Sequence, residues 1–138
     1  MAKFNPVTSS GGATLAYATY IGAQALTDIS NVSDFVSGLA TDSDGDVYIT
    51  GYTQSPNYPV TTGAYQITCG YGGGQSCAAT YITKLNPNLS AIEWATYVGN
   101  VNGSSNDNIG TSGPMQVDGN GNVYVTGQAW FGFPQVIE

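Results

Sequence analysis

Three carboxylates offer the first chemistry. Asp42, Asp44 and Asp46 stand at alternate positions in Asp42-Ser-Asp-Gly-Asp46. Hard oxygen ligands at that spacing can wrap a Ca²⁺ ion. The rest of a calcium loop is missing: Val47 stands where its sixth-position glycine belongs, and no glutamate follows at the twelfth. The same residue types have a second use, because Asp and Asn side chains accept hydrogen bonds from turn amides and tolerate left-handed backbone. The ten residues Asp42–Gly51 return as Asp118–Gly127, 76 positions on, with six identities. In the copy the carboxylates are diluted to Asp118, Asn120 and Asn122. A turn is the expectation, with calcium on Asp42, Asp44 and Asp46 as the alternative; no other cofactor is expected.

Cys69 and Cys77, the only cysteines, flank a glycine-rich loop. Such a pair reads as a local disulfide in an oxidising compartment, against two free thiols. A metal pair lacks the His or further Cys to complete a site. The glycines at 70–74 are not a phosphate loop, since no Gly-Lys-[Ser/Thr] and no helix follow. The absence of His excludes a histidine-based triad. A glycosidase pair could draw on Asp28, Asp34 or Asp107, but no spacing selects two of them. The expectation is a chain without enzymatic activity. Tyr17, Tyr20, Tyr48, Trp94, Tyr97, Tyr124 and Trp130 recur with the repeat and read as packing between units. Tyr58, Tyr71, Trp130 and Phe131 lie on expected loops and are the better candidates for a sugar-binding surface. Asn31, Asn88 and Asn102 stand in glycosylation sequons.

Composition narrows the partners. Charged residues make up 8% of the 138-residue chain, against roughly 25% in average proteins, so solubility must rest on Ser, Thr, Asn, Gln, Gly and Tyr. Lys3 and Lys84 are the only cationic side chains, and the net charge is −7. With no cationic surface to displace counterions, a nucleic-acid partner is excluded and an anionic membrane disfavoured. No apolar run reaches the roughly 18–20 residues that cross a bilayer. The opening Met-Ala-Lys-Phe-Asn-Pro lacks the apolar core of a signal peptide. A secreted form would have its targeting segment removed or on a longer parent chain.

The elements that position these residues follow from the repeat. Lys3-Phe-Asn-Pro6 returns as Lys84-Leu-Asn-Pro87, and Tyr17-Ala-Thr-Tyr-Ile-Gly22 as Trp94-Ala-Thr-Tyr-Val-Gly99. Offsets of 81 and 77, beside 76, place small indels in loops. Strands are expected at 13–21, 35–41, 46–53, 78–85, 91–98, 114–118 and 122–129, with hairpins across Asp44-Gly45 and Asn120-Gly121. Residues 54–77 and 99–113 read as long loops. Strand 46–52 carries bulky groups on both faces, which fits a sheet buried on both sides. Helical periodicity is absent.

Taken together, Lys84–Pro87, Trp94–Gly99 and Asp118–Gly127 resemble the SBBP repeats, seven-bladed β-propeller repeats of secreted and surface proteins in bacteria and archaea. Tyr58-Pro59 with Thr61–Gln66 is similar to the segment after that family's second strand, and Phe133-Pro134 begins it again. The Cys69–Cys77 loop departs from the pattern, as does the long loop after Gly22. The resemblance implies an all-β fold of four-stranded antiparallel blades, about two blades' worth cut mid-blade at both ends. With the Asp-Gly hairpin joining strands a and b, residues 1–34 are a partial blade (c-d), 35–99 a full blade and 100–138 a second partial blade (a-b). Propellers close with roughly four to eight blades. The chain is then a segment of a longer propeller, or copies combine, a-b of one with c-d of the next. The expected function is a non-catalytic structural or adhesion repeat protein, extracellular or on the cell surface. It would self-associate or dock on neighbouring blades through its strand edges. The alternative is a carbohydrate-binding, lectin-like propeller module that takes surface glycans.

Overall fold

The structure, a computed structural model, describes residues 1–6, 11–23, 33–69, 77–99 and 112–127. Among these the protein is all-β: β1 (Ala2–Asn5), β2 (Thr14–Ala18), β3 (Asp34–Thr41), β4 (Val47–Thr53), β5 (Ala79–Leu85), β6 (Ile92–Val98), β7 (Ser112–Val117) and β8 (Val123–Gly127). They form three antiparallel sheets, β1–β2, β3–β4–β5–β6 and β7–β8.

The middle sheet holds the core. Its central strands, Val-Tyr-Ile-Thr-Gly-Tyr-Thr and Ala-Thr-Tyr-Ile-Thr-Lys-Leu, are rich in the β-branched and aromatic residues that suit a pleated surface. Nearly every position of both is buried, so both faces are covered. On one face Val47, Ile49, Tyr81, Leu85 and Tyr97 pack with Tyr58, Cys77 and Leu89. On the other, Tyr48 and Ile82 pack against Met115 of β7, with Trp94, Val117, Val123 and Val125 around them. The third sheet therefore stacks on the second. The first sheet meets the middle one across a cavity of about 310 Å³ whose lining includes Met1, Leu39, Val47 and Leu89.

Both hairpins, at Asp44-Gly45 and at Asn120-Gly121, turn one residue earlier than the dipeptide suggests. The Asp42 carbonyl accepts from the Gly45 amide at 3.2 Å, and the Asp42 amide donates to the Asp46 carbonyl at 3.2 Å. Ser43 and Asp44 are thus the central pair. Gly45 follows at φ +86°, the left-handed position of a three-residue hairpin loop. Asp118 and Gly121 (φ +81°) repeat this arrangement.

The outer sheets are register copies of the two halves of the middle one. Ala2 faces Ala18, Lys3 faces Tyr17 and Phe4 faces Leu15, with an irregularity between Lys3 and Phe4. In β5–β6, Thr83 faces Ala95, Lys84 faces Trp94 and Leu85 faces Ile92, with the irregularity between Lys84 and Leu85. Likewise Met115–Val125, Gln116–Tyr124 and Val117–Val123 reproduce Leu39–Ile49, Ala40–Tyr48 and Thr41–Val47. The bulges coincide too, falling between Ser112 and Met115 in one and between Val36 and Gly38 in the other.

Much of the expected loop 54–77 is built into the blade. Thr61 donates its amide to the Ala95 carbonyl (3.0 Å) and accepts from the Ala95 amide at its hydroxyl (3.1 Å). The Gln66 carbonyl accepts from the Tyr97 amide (3.1 Å), and Gln66 Oε1 accepts from the Gly99 amide (3.1 Å). These bonds close the outer edge of β6, which would otherwise offer unpaired backbone groups.

Candidate functional site

The Asp42 side chain holds its own turn. Its Oδ1 accepts from the amides of Asp44 (3.1 Å) and Asp46 (2.9 Å), and its Oδ2 from the Tyr48 hydroxyl (2.9 Å). Desolvation works upward on this carboxyl, but the hydrogen bonds from Tyr48, Asp46 and Asp44 outweigh it and hold the pKa below the ordinary value. Lys84 reaches in from β5. Its Nζ lies 2.6 Å from Asp46, 2.8 Å from Glu93 and 3.9 Å from Asp42. It also sits 5.5 Å from the centre of the Tyr48 ring, close enough for a cation–π contact. Hydrogen bonds to Asp46 and then Glu93 push the lysine pKa up, so it stays charged.

The three aspartates therefore have separate tasks. Asp42 caps the turn, Asp46 pairs with Lys84, and Asp44 is exposed. Among the described residues no group of three or more His, Cys, Asp or Glu side chains is placed to hold a metal ion. Lys84 and Glu93 are not residues that the sequence pattern nominates for a site. A signal did exist for the lysine, since it recurs as Lys3 in the Lys-φ-Asn-Pro repeat.

The copy solves the same turn without a cation. Asp118 Oδ1 accepts from the amides of Asn120 and Asn122, both at 2.9 Å. Its Oδ2 accepts from Asn122 Nδ2 (2.8 Å) and from the Tyr124 hydroxyl (3.1 Å). The bonds from Asn122 do most to hold this carboxyl below its ordinary value. Donating to Asp118 in turn raises the Tyr124 hydroxyl.

Tyr58 is not a surface aromatic, which corrects its place among the sugar-binding candidates. It is buried and stacks on Tyr81 with ring centres 4.2 Å apart. Its amide donates to the Tyr97 hydroxyl (3.0 Å), its own hydroxyl lies 2.8 Å from Thr83 Oγ1, and the Tyr97 hydroxyl donates to the Ser55 carbonyl (2.9 Å). The reason is that residues 54–66 fold back over the sheet, so a residue read as loop becomes core. Burial pushes the Tyr81 and Tyr97 hydroxyls up to about 12, and Tyr58 higher still. Tyr71, Trp130 and Phe131 lie outside the described residues. Cys69 and Cys77 form a disulfide with Cα atoms 5.5 Å apart, Cys77 being buried in the core. Disulfides persist in oxidising surroundings.

Residues 16–59 match the family model described as SBBP, a β-propeller repeat. The matched segment belongs to the SBBP β-propeller repeat family. It runs from β2 through β3 and β4 to Tyr58-Pro59. The SBBP repeat thus spans the junction from one sheet to the next, including the Asp42 turn. No curated protein matches the chain, and no solved structure matches it. Over residues 16–59 the chain carries a β-propeller repeat, and among the described residues its sheets are antiparallel and of two to four strands.

Proposed function

We propose that the chain is a non-catalytic structural module, extracellular or on the cell surface, that self-associates through the open edges of its half-blades. The observation carrying this reading is the register identity between the two-stranded sheets and the halves of the middle blade. Among the described residues each two-stranded sheet leaves one strand edge unpaired that is paired in the middle blade. Exposed strand edges are templates for pairing with another chain. The disulfide agrees with an oxidising, extracytoplasmic setting. Adhesion would follow from an assembly of this kind displayed at a surface.

Native mass spectrometry tests the reading. Closed species of two to four copies, or larger polymers, are expected at micromolar concentration. A monomer at every concentration overturns self-association.

A further inference from the structure

The middle blade is a template for how two half-blades meet. Within it β4 and β5 pair Val47 with Leu85, Tyr48 with Lys84 and Ile49 with Thr83. By repeat position these residues correspond to Val123, Tyr124 and Val125 on β8 and to Phe4, Lys3 and Ala2 on β1. We propose that β8 of one copy takes up β1 of a second copy in the register Val123–Phe4, Tyr124–Lys3, Val125–Ala2, with Lys3 seated against Asp118 and the Tyr124 ring. The partner is a second copy of this chain, so the assignment stands on the self-association reading above.

Three observations carry it. Among the described residues, the edge of β8 away from β7 and the edge of β1 away from β2 pair with no strand. Side chains buried in the whole blade lie open at the same places in the halves. Tyr48 is 2% exposed and Tyr124 57%; Leu85 is 3% exposed and Phe4 62%. The charges are complementary as well. Lys84 sits among Asp46, Glu93 and Asp42. Lys3, its repeat counterpart, has a 3.4 Å hydrogen bond to the Pro87 carbonyl and lies 5.9 Å from the Tyr17 ring. No ion pair of Lys3 or Asp118 is found among the described residues. Docking would give Asp118 and Tyr124 the cation that Asp42 and Tyr48 already have. Asn122 stands where Asp46 stands in the whole blade, so the new contact has fewer carboxylates than the old.

The interface is head-to-tail, and each copy still offers its other edge. Two to four copies would close a ring of four to eight blades, the range in which propellers close.

Cysteine pairs read the register directly. Ala2→Cys and Val125→Cys are made in separate copies and mixed under mild oxidation. The mixture should yield a covalent two-chain species that neither variant gives alone. Ala2→Cys mixed with Val123→Cys, two residues out of register, should yield none. A cross-link from Ala2→Cys alone, a preference for the shifted pair, or no cross-link in a mixture that still self-associates overturns the register while leaving self-association standing. A mixture that is monomeric throughout, like the unmodified chain, overturns both. Charge exchange is the second test. Lys3→Glu should weaken association about tenfold, as expected for a single partly screened ion pair with its ring contact. Mixing it with Asp118→Lys should restore association in assemblies with an even number of copies, because an interface between the two variants brings opposite charges together. Association indifferent to Lys3→Glu overturns the role given to Lys3.

Discussion

Tyr97 and Tyr20 hold the same place in the repeat and have opposite surroundings. Tyr97 is fully buried, its hydroxyl bonded to Ser55 and Tyr58. Tyr20 is fully exposed. The local sequences are nearly identical, Tyr17-Ala-Thr-Tyr-Ile-Gly22 beside Trp94-Ala-Thr-Tyr-Val-Gly99. What differs is the cover. Residues 54–66 wrap the outer edge of β6 and carry Tyr58 onto the face, and among the described residues no such segment lies over β2. In this fold a blade's core is built by the elements next to the strands, so the same strand can be core in one blade and surface in another.

Substitution at the paired tyrosines should separate them most widely. Tyr97→Ala should lower stability by about 3–5 kcal/mol, the range for losing a large buried aromatic. Tyr20→Ala should change the dilute chain by less than about 0.5 kcal/mol. Equilibrium denaturation of both variants makes the comparison, and equal losses would abolish it. Next in size is Gly51→Ala, since a Cβ at Gly51 would run into the Phe35 carbonyl. We expect a loss of about 3 kcal/mol by urea titration. Reduction of Cys69–Cys77 should cost about 2–3 kcal/mol by releasing the short loop in the unfolded chain. The cost should appear in the melting of the middle blade, measured with and without reductant.

The two hairpins yield smaller and finer effects. Asp46→Asn gives the first hairpin the residue of the second and removes the closest ion pair of Lys84. A loss of about 1 kcal/mol is expected for a partly exposed pair. Asn122→Asp in the dilute chain should also lose stability, because it removes the Asn122 Nδ2 bond to Asp118 and sets two carboxylates together with no lysine between them. Thermal melts of the two variants measure these losses. With pH, both hairpins should behave alike. The Asp42 and Asp118 carboxyls lie below their ordinary value of 3.8, so the unfolded chain takes up protons first. Their contribution is complete above about pH 4 and is lost as pH falls through the lowered folded values. Tyr81 and Tyr97 work in the other direction, their hydroxyls pushed from 10.0 to about 12. Their contribution is complete below pH 10 and is lost as pH rises towards 12. Melting temperature against pH should show both limits.

Strand pattern and repeat phase were legible in the chain because they are local. Alternation, turn residues and the echo of Asp42–Gly51 at Asp118–Gly127 all lie within short windows. The site was less legible, since its partners come from distant segments. Lys84 meets Asp46 only when β5 is laid beside β4, and no spacing along the chain announces that. Tyr58 looked like a loop aromatic because the fold-back of residues 54–66 is held at isolated positions, Thr61 and Gln66, which leave no periodic pattern. Even the Asp-Gly turn was displaced by one residue, because the glycine serves the left-handed position after the turn rather than its centre.

The claim that half-blades complete one another across copies is met most directly by hydrogen exchange as a function of protein concentration. Amides of β1 and β8 should become protected as concentration rises through the association range, while those of β4 and β5 stay unchanged. Exchange in β1 and β8 that is independent of concentration would contradict the account.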